Sequence, residues 1–167
     1  ISMAQGGMTP LRLVLSGVVL SSAFSALASF LVFRSPDPRA AQSVLFWMLG
    51  SVAGATWDSL WVAALVTVVI AVLMIAFSGW LDALAAGTDV ARSLGIPDTR
   101  VRKALFVGNS VLVGVLVAVS GGIGFVGLVI PHMARLLVGA SHRSMLPIAA
   151  AVGSLFLLWV DVGARVI

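Results

Sequence analysis

Few side chains in this 167-residue sequence could serve as a nucleophile, a general base or a metal ligand. There are two histidines, His132 and His142, and no cysteine. Ser120 lies one short segment before His132, a pairing that would suit a serine hydrolase. Such an enzyme needs a base within hydrogen-bond reach and oxyanion donors, and no Gly-x-Ser-x-Gly turn supplies them here. The carboxylates that a metal site would need are also misplaced, so we predict no catalytic residue, no metal and no cofactor.

The glycine-rich segments do not predict a nucleotide-binding loop. The sequence lacks a Gly-x-x-x-x-Gly-Lys-[Ser/Thr] motif, and its only lysine is Lys103. We therefore expect no binding of ATP through a P-loop. Residues 122–127 match Gly-x-Gly-x-x-Gly, but they follow no predicted strand, so a dinucleotide-binding interpretation fails.

Two sets of side chains are candidates for binding rather than catalysis. The first recurs at four-residue spacing on one face of a predicted helix and comprises Gly17, Ser21, Ser25 and Ser29. In lipid, such a face allows close helix contact or offers hydroxyl groups to a polar passage, and ordinary packing explains it equally well. The second set is Asp161 and Arg165, which are four residues apart. A helical ion pair is the default explanation, and contact of Arg165 with an acidic partner is the alternative.

The composition indicates that these side chains belong to a membrane protein. Hydrophobic residues make up 60% of the chain, charged residues only 10%, and the mean hydropathy is +1.16. Soluble domains carry about 25% charged residues, because their surface faces water. The net charge of +4 is too sparse and scattered for a nucleic-acid interface. Disorder, collagen, disulfide scaffolds and zinc ribbons are excluded by the same numbers.

Charge-free apolar runs predict an all-α, polytopic fold with about five transmembrane helices. The runs comprise residues 13–33, 59–81, 104–120, 125–138 and 144–160. Glycines at 121, 122 and 124 predict the break between the third and fourth helices, and Pro131 predicts a kink in the fourth. Residues 40–49, after Pro36 and Pro38, predict a short amphipathic or re-entrant helix on the outer face.

The loop of residues 81–103 predicts further short helices on the cytoplasmic side. One is expected over residues 81–94, ended by Gly95 with Pro97 two residues later. Cytoplasmic loops carry an excess of Lys and Arg, and this rule fixes the orientation. Seven basic residues then lie inside, namely Arg12, Arg92, Arg100, Arg102, Lys103, Arg135 and Arg143, and three lie outside, namely Arg34, Arg39 and Arg165. A folded cytoplasmic loop typically serves a partner.

The segment Gly121 to Leu136 reads GGIGFVGLVIPHMARL and resembles the signature of the FecCD/BtuC-type permeases. These are the membrane subunits of bacterial ABC importers for iron–siderophore complexes, haem and cobalamin. Shorter matches extend the resemblance over nearly the whole chain, and they are residues 47–51, residues 91–95, Ser141-His142-Arg143 with Leu146-Pro147, and Asp161 with Ala164-Arg165. The resemblance implies that residues 1–167 are a fragment of one transmembrane permease domain, covering roughly the fifth to ninth of ten helices.

The resemblance also implies roles for individual positions. The loop of residues 81–103 resembles the coupling helices that dock on the ATPase, with matching positions at Gly87, Asp89, Ala91, Arg92, Leu94 and Gly95. Thr88 stands where the family commonly has Glu, and Asp89 is expected to supply the acid. The first helix resembles the one that lines the central pathway, which includes Gly17, Ser21, Ser25 and Ser29. A cytoplasmic gate falls at Thr9, Pro10 and Leu11, and Arg165 resembles a basic position that meets carboxylates of the periplasmic binding protein.

Transport by alternating access, driven by a separate ATPase subunit, is therefore the expected function. The implied partners are that cytoplasmic ATPase, a periplasmic or lipid-anchored substrate-binding protein, a second copy or a paralogous permease, and the lipid of a bacterial inner membrane. No nucleic-acid partner is expected. An ion-coupled secondary transporter is the alternative, and it would want ionisable residues at mid-membrane. Apart from His132, the predicted spans lack such residues at their centres, which favours the ABC importer.

Overall fold

A computed structural model describes residues 10–34, 36, 38–52 and 55–166, and of Pro10, Pro38, Ala40 and Arg165 it describes only the backbone. The regular structure in these residues is entirely helical, as predicted. In chain order the helices are α1 (Pro10–Arg34), α2 (Pro38–Leu49), α3 (Trp57–Ala76), α4 (Ser78–Ala86), α5 (Thr88–Ser93), α6 (Asp98–Ser120), α7 (Val126–Val138) and α8 (His142–Val166).

Five of these helices correspond to the predicted crossings. By length and composition, α1, α3, α6 and α8 are long and apolar enough to cross a membrane, and α7 is a shorter apolar helix. Large side chains such as Phe33, Trp57 and Phe125 expose more than four-fifths of their surface. Such exposure is unfavourable in water and favourable in lipid, where every helix also satisfies its own backbone hydrogen bonds. The fold is that of a multi-pass membrane protein.

The chain divides into two compact units after Phe46. The first unit contains α1 and most of α2. The described residues of the second unit begin at Trp47 and include α3 to α8. The predicted short helix of residues 40–49 is α2, which begins at Pro38. Proline suits the first turn of a helix, because its missing N–H has no helical partner there.

Two helix pairs, α3 with α6 and α7 with α8, organise the second unit. Few of the described side chains in these four helices are buried, and two of the four buried ones are alanines. Ala63 of α3 and Ala134 of α7 are buried, together with Ile130 and Met145. Small residues let membrane helices approach closely, so packing here depends on backbone proximity rather than on a large apolar core.

Between α3 and α6, three boundaries differ from the prediction. Helix α3 ends at Ala76 rather than at residue 81, because the chain turns at Phe77, whose carbonyl oxygen accepts the N–H groups of Trp80 and Leu81 (3.0 and 3.2 Å). Phe77 is as apolar as the span, so hydropathy could not reveal this turn. The helix predicted over residues 81–94 is two helices, α4 and α5, separated at Gly87.

The third difference is at α6, which begins at Asp98 rather than at residue 104. Arg100, Arg102 and Lys103 fall outside a charge-free run, yet they lie in the first turns of the helix with exposed side chains. Pro131 lies inside α7, which is helical from Val126 to Val138, and the kink there stays a prediction.

Candidate functional site

Helices α4 and α5, with the turn that follows them, form a small element with its own apolar core; we call residues 78–97 the α4–α5 element. Ala83, Ala91 and Ile96 are buried in this core, and Leu84 and Val101 pack against it. Ala91 has no exposed surface. Because interiors are close-packed, the two helices cannot shift against each other without opening a gap. The structure therefore makes Ala91, a predicted coupling residue, a packing residue.

The turn after α5 rigidly fixes the end of that helix. The N–H of Gly95 donates to the carbonyl oxygen of Arg92 (2.9 Å), and the N–H of Ile96 donates to that of Ala91 (3.0 Å). Gly95 has φ of +73°, in the left-handed region that L side chains rarely adopt. These two bonds and this φ define a Schellman motif, completed by the apolar contact between Ile96 and Ala91. The predicted helix end at Gly95 is confirmed.

An ion pair spans the same turn. Arg92 donates from Nη2 to Asp98 Oδ2 at 3.2 Å and from Nε to Asp98 Oδ1 at 3.4 Å. This two-point contact ties the end of α5 to the start of α6. Arg92 nevertheless keeps 63% of its side chain exposed, against 15% for Asp98. The sequence indicated Arg92 as a contact for a partner but did not reveal its partner within the chain.

The outer face of the α4–α5 element combines polar and apolar groups. Thr88 and Asp89 are exposed in the first turn of α5, Val90 is 44% exposed and Leu94 is 66% exposed. Five of the six predicted coupling positions are thus at least partly accessible, and the exception is the buried Ala91. A rigid surface with an apolar centre and charged surroundings resembles a protein-docking patch.

A polar contact that the sequence did not indicate joins α4 to the beginning of α8. Asp82 Oδ1 accepts the backbone N–H of His142 at 2.9 Å and also the hydrogen bond of the His142 imidazole Nδ1. Asp82 Oδ2 accepts from the Ser141 hydroxyl at 3.3 Å. The backbone bond, followed by the imidazole bond, lowers the pKa of Asp82 below its ordinary value of 3.8. A lone carboxylate in an otherwise apolar helix was the available sequence signal.

The rejected hydrolase pair is not assembled. The Ser120 hydroxyl donates to the carbonyl oxygen of Leu116 at 2.9 Å, and His132 is an exposed residue of α7. Among the hydrogen bonds of the described part of the chain, none joins these two residues. Ser120 has a structural role, because its hydroxyl and its carbonyl oxygen both form hydrogen bonds at the end of α6.

The remaining predicted site residues lie in α1 and at the end of α8. The row of small residues is exposed along one face of α1, as the helical spacing requires, and comprises Gly17, Ser21, Ser25 and Ser29. In the predicted gate, Pro10 begins α1 and Leu11 is 68% exposed, whereas Thr9 lies outside the described residues. Arg165 is in the last turn of α8, and its side chain lies outside the description. These roles stay predictions.

A second close contact holds the end of α2 against the end of α6, and we call it the glycine clasp (residues 47–51 with 118–122). Trp47 Nε1 donates to the carbonyl oxygen of Ala118 at 3.3 Å, and the N–H of Ser51 donates to that of Ser120 at 2.8 Å. At Gly121, where φ is +71°, a Cβ would collide with the carbonyl oxygen of Trp47. Residues 47–51 on one side of the clasp, and Gly121 and Gly122 on the other, belong to segments that carry the family resemblance.

Apolar spans, a rigid α4–α5 element and the glycine clasp together define an all-α, multi-pass membrane fold. The FecCD transport family matches the chain over residues 1–167, and the protein belongs to that family.

Individual relatives support the same assignment. The chain is 36% identical over 162 residues to a cobalamin import permease of Halobacterium salinarum, covering 96% of this chain and 43% of that protein. It is 37% identical to a molybdate import permease of Haemophilus influenzae, covering 93% of this chain and 46% of that protein. An inward-facing structure assigned to the metal-chelate type of ABC transporter matches with a TM-score of 0.85 and 37% identity, covering 94% of this chain and 51% of that chain. The chain thus spans about half the length of the curated relatives it matches.

Proposed function

We propose that the chain forms part of the membrane-spanning permease of an ABC importer and that the α4–α5 element is its docking surface for a separate ATPase subunit. The observation that carries this proposal is the rigidity of the element. Its core, its Schellman turn and the Arg92–Asp98 pair all resist local deformation. Only a stiff element transmits the movement of a bound subunit to membrane helices.

The docking patch centres on Leu94, which is two-thirds exposed, and includes Val90, Asp89 and Arg92. Exposed apolar groups ringed by charges suit a protein partner, because the centre loses water on contact and the rim sets the orientation. Gly87 and Gly95 shape the backbone at the two ends of α5. The proposal puts the element on the cytoplasmic side of a bacterial inner membrane, and the excess of Lys and Arg in this part of the chain supports the cytoplasmic side.

Further parts of the proposal concern the substrate and its path. The substrate class is the metal chelates, comprising iron–siderophore complexes, haem and cobalamin-like compounds. Support comes from relatives named for cobalamin and Fe(3+)-citrate import. The small-residue face of α1 lines the path or a helix interface, residues 9–11 gate it, and Arg165 contacts a substrate-binding protein. A second copy or a paralogous permease completes the pathway, which works by alternating access.

Copurification tests the docking surface. Leu94→Glu in the full-length protein places a charge at the centre of the patch, where it would be buried by a partner. We expect the ATPase to be lost from the purified complex and ATP-driven uptake to fall at least tenfold, the effect of about 1.4 kcal/mol. Leu94→Met keeps the apolar contact and is expected to retain both.

Unchanged copurification and uptake in Leu94→Glu would place the docking surface elsewhere. Uptake that follows a proton or sodium gradient, with no ATPase in the purified complex, would instead establish the ion-coupled alternative. Uptake of cobalamin, ferric hydroxamate, ferric citrate and molybdate, each supplied separately in labelled form, tests the substrate class. Transport of molybdate alone would contradict it.

A further inference from the structure

The contact between Asp82 and the start of α8 is the only hydrogen-bonded link between α4 and α8 that the described residues display. It has three components that converge on one carboxylate. The His142 backbone N–H and imidazole bind Oδ1, and the Ser141 hydroxyl binds Oδ2. Three donors on two oxygens leave Asp82 little freedom to rotate.

The carboxylate caps α8 from outside that helix. Ser141 accepts the first helical hydrogen bond, from the N–H of Met145 at 2.9 Å. The N–H of His142 therefore belongs to the first turn, whose donors have no partner within the helix. A negative charge at this position is favoured by the helix dipole as well. Because the ionised carboxylate has only acceptors, the imidazole must donate, and movement of α4 strains all three bonds together.

Helix α8 is long enough to carry a displacement across the membrane. Its 25 residues span about 37 Å. Its beginning is fastened to α4, and its side is packed against α7, where a Cβ added at Gly153 would lie 3.5 Å from Ile130 Cγ2 and Arg135 Nε lies 3.4 Å from Met145 Sδ. A displacement of α4 at Asp82 would therefore move α7 and α8 together as one rigid body.

We infer that Asp82 is a positioning residue that fastens the α4–α5 element to α8, so that displacement of this element by a docked subunit moves the α7–α8 pair. This inference rests on the proposed docking function. In this inference Asp82 transmits the movement and does not bind the ATPase. Asp82 belongs to α4 and contacts the start of α8, whereas the proposed docking surface is the exposed face of α5.

The decisive measurement is the amount of substrate taken up per ATP hydrolysed, in the full-length protein reconstituted with its ATPase. Asp82→Ala removes all three bonds, and we expect this ratio to fall about tenfold while ATP hydrolysis and copurification persist. Asp82→Asn keeps an acceptor oxygen for the N–H of His142 and should recover part of the ratio. His142→Ala removes only the imidazole bond and should have the smallest effect. Asp58→Asn makes the same acid-to-amide change in the first turn of α3 and should leave the ratio unchanged.

A second readout follows the movement itself. Residues 1–167 contain no cysteine, so spin labels can be attached at Ser93→Cys in α5 and Ser154→Cys in α8 of a full-length protein in which any cysteine outside these residues has been replaced. In the wild-type background we expect ATP to shift the α8 label relative to a third label at Asp58→Cys in α3. In Asp82→Ala we expect the α5 label to move and the α8 label to stay.

Two outcomes would overturn the inference. One is a normal uptake ratio and a normal α8 movement in Asp82→Ala. The other is that Asp82→Ala, Asp82→Asn and His142→Ala all fail to fold and to form the complex with the ATPase. Asp82 and His142 would then serve only to hold the fold. Failure of the proposed function is distinguishable, because it would appear in the wild-type protein as uptake without ATP or as the absence of a bound ATPase.

Discussion

The two close contacts of the second unit are made in opposite ways. The contact of α4 with α8 depends on side-chain charges and hydrogen bonds around Asp82, whereas the glycine clasp brings backbone against backbone with no room for a side chain at Gly121. Hydrogen bonds to a charged carboxylate are strong and tolerate small changes of angle, so they can hold two helices together while both move. A backbone contact at van der Waals distance cannot adapt in this way. The first contact, which we call the joint, suits a link whose two helices move together, and the second suits a fixed point.

The largest effect is expected where the fixed point is broken. Gly121→Ala adds a Cβ that collides with the carbonyl oxygen of Trp47 at a residue with φ of +71°. The collision and the left-handed backbone together should cost about 2–4 kcal/mol of the free energy of unfolding. Unfolding by titration with sodium dodecyl sulfate measures this loss.

The matched control is the neighbouring residue. Gly122→Ala meets no atom within 4 Å, and the φ of Gly122 is not in the left-handed region. It should change the free energy of unfolding by less than about 0.5 kcal/mol. Equal losses for the two variants would show that the clasp is not the fixed point described here.

A smaller effect is expected at Gly95, which shares the backbone conformation of Gly121 but not its surroundings. Its φ is +73°, and a Cβ there would meet nothing within 4 Å. Gly95→Ala should therefore cost only the left-handed backbone strain, about 1 kcal/mol. Gly95→Asn should cost less, since asparagine tolerates this region. The difference between the alanine variants at 95 and 121, measured in the same titration, isolates the contribution of the collision. No difference between them would contradict a clasp closed by contact.

Acid should weaken the joint and leave the clasp unaffected. The pKa of Asp82 is below its ordinary 3.8 in the folded protein, so its stabilising contribution is present above that ordinary value and is lost as the pH falls through the lowered pKa. The wild type should be more stable than Asp82→Asn at about pH 5. This advantage in the free energy of unfolding should shrink as the pH is lowered to about 3, a window of about one unit on either side of the ordinary pKa. Gly121→Ala should show no such trend. A difference that stays constant down to pH 3 would mean that folding does not lower the pKa of Asp82, so that the contact does not favour its ionised form.

The sequence predicted the elements better than the contacts between them. Charge-free runs located the apolar helices, and Gly95 located the end of α5, because both signals are local. The turn at Phe77 was hidden, since an apolar residue ends one helix and begins the next without any change in hydropathy. Asp82 and His142 are sixty positions apart, and their meeting depends on how α4 packs beside α8. Spacing within one helix carries no information on such a contact.

The smallest effect is expected at the Arg92–Asp98 pair, which tests whether every charged contact near the joint matters. Arg92 is largely exposed, so water and salt compete with Asp98 for its guanidinium group. In a double-mutant cycle of Arg92→Ala and Asp98→Ala, the interaction energy should be smaller than the loss in Gly95→Ala and should vanish at about 1 M salt. Because the Schellman motif already fixes this turn through the backbone, removing the pair should leave α5 folded and change ATPase docking only through Arg92. A loss of docking in Asp98→Ala equal to that in Arg92→Ala would show instead that the pair itself holds the surface in shape.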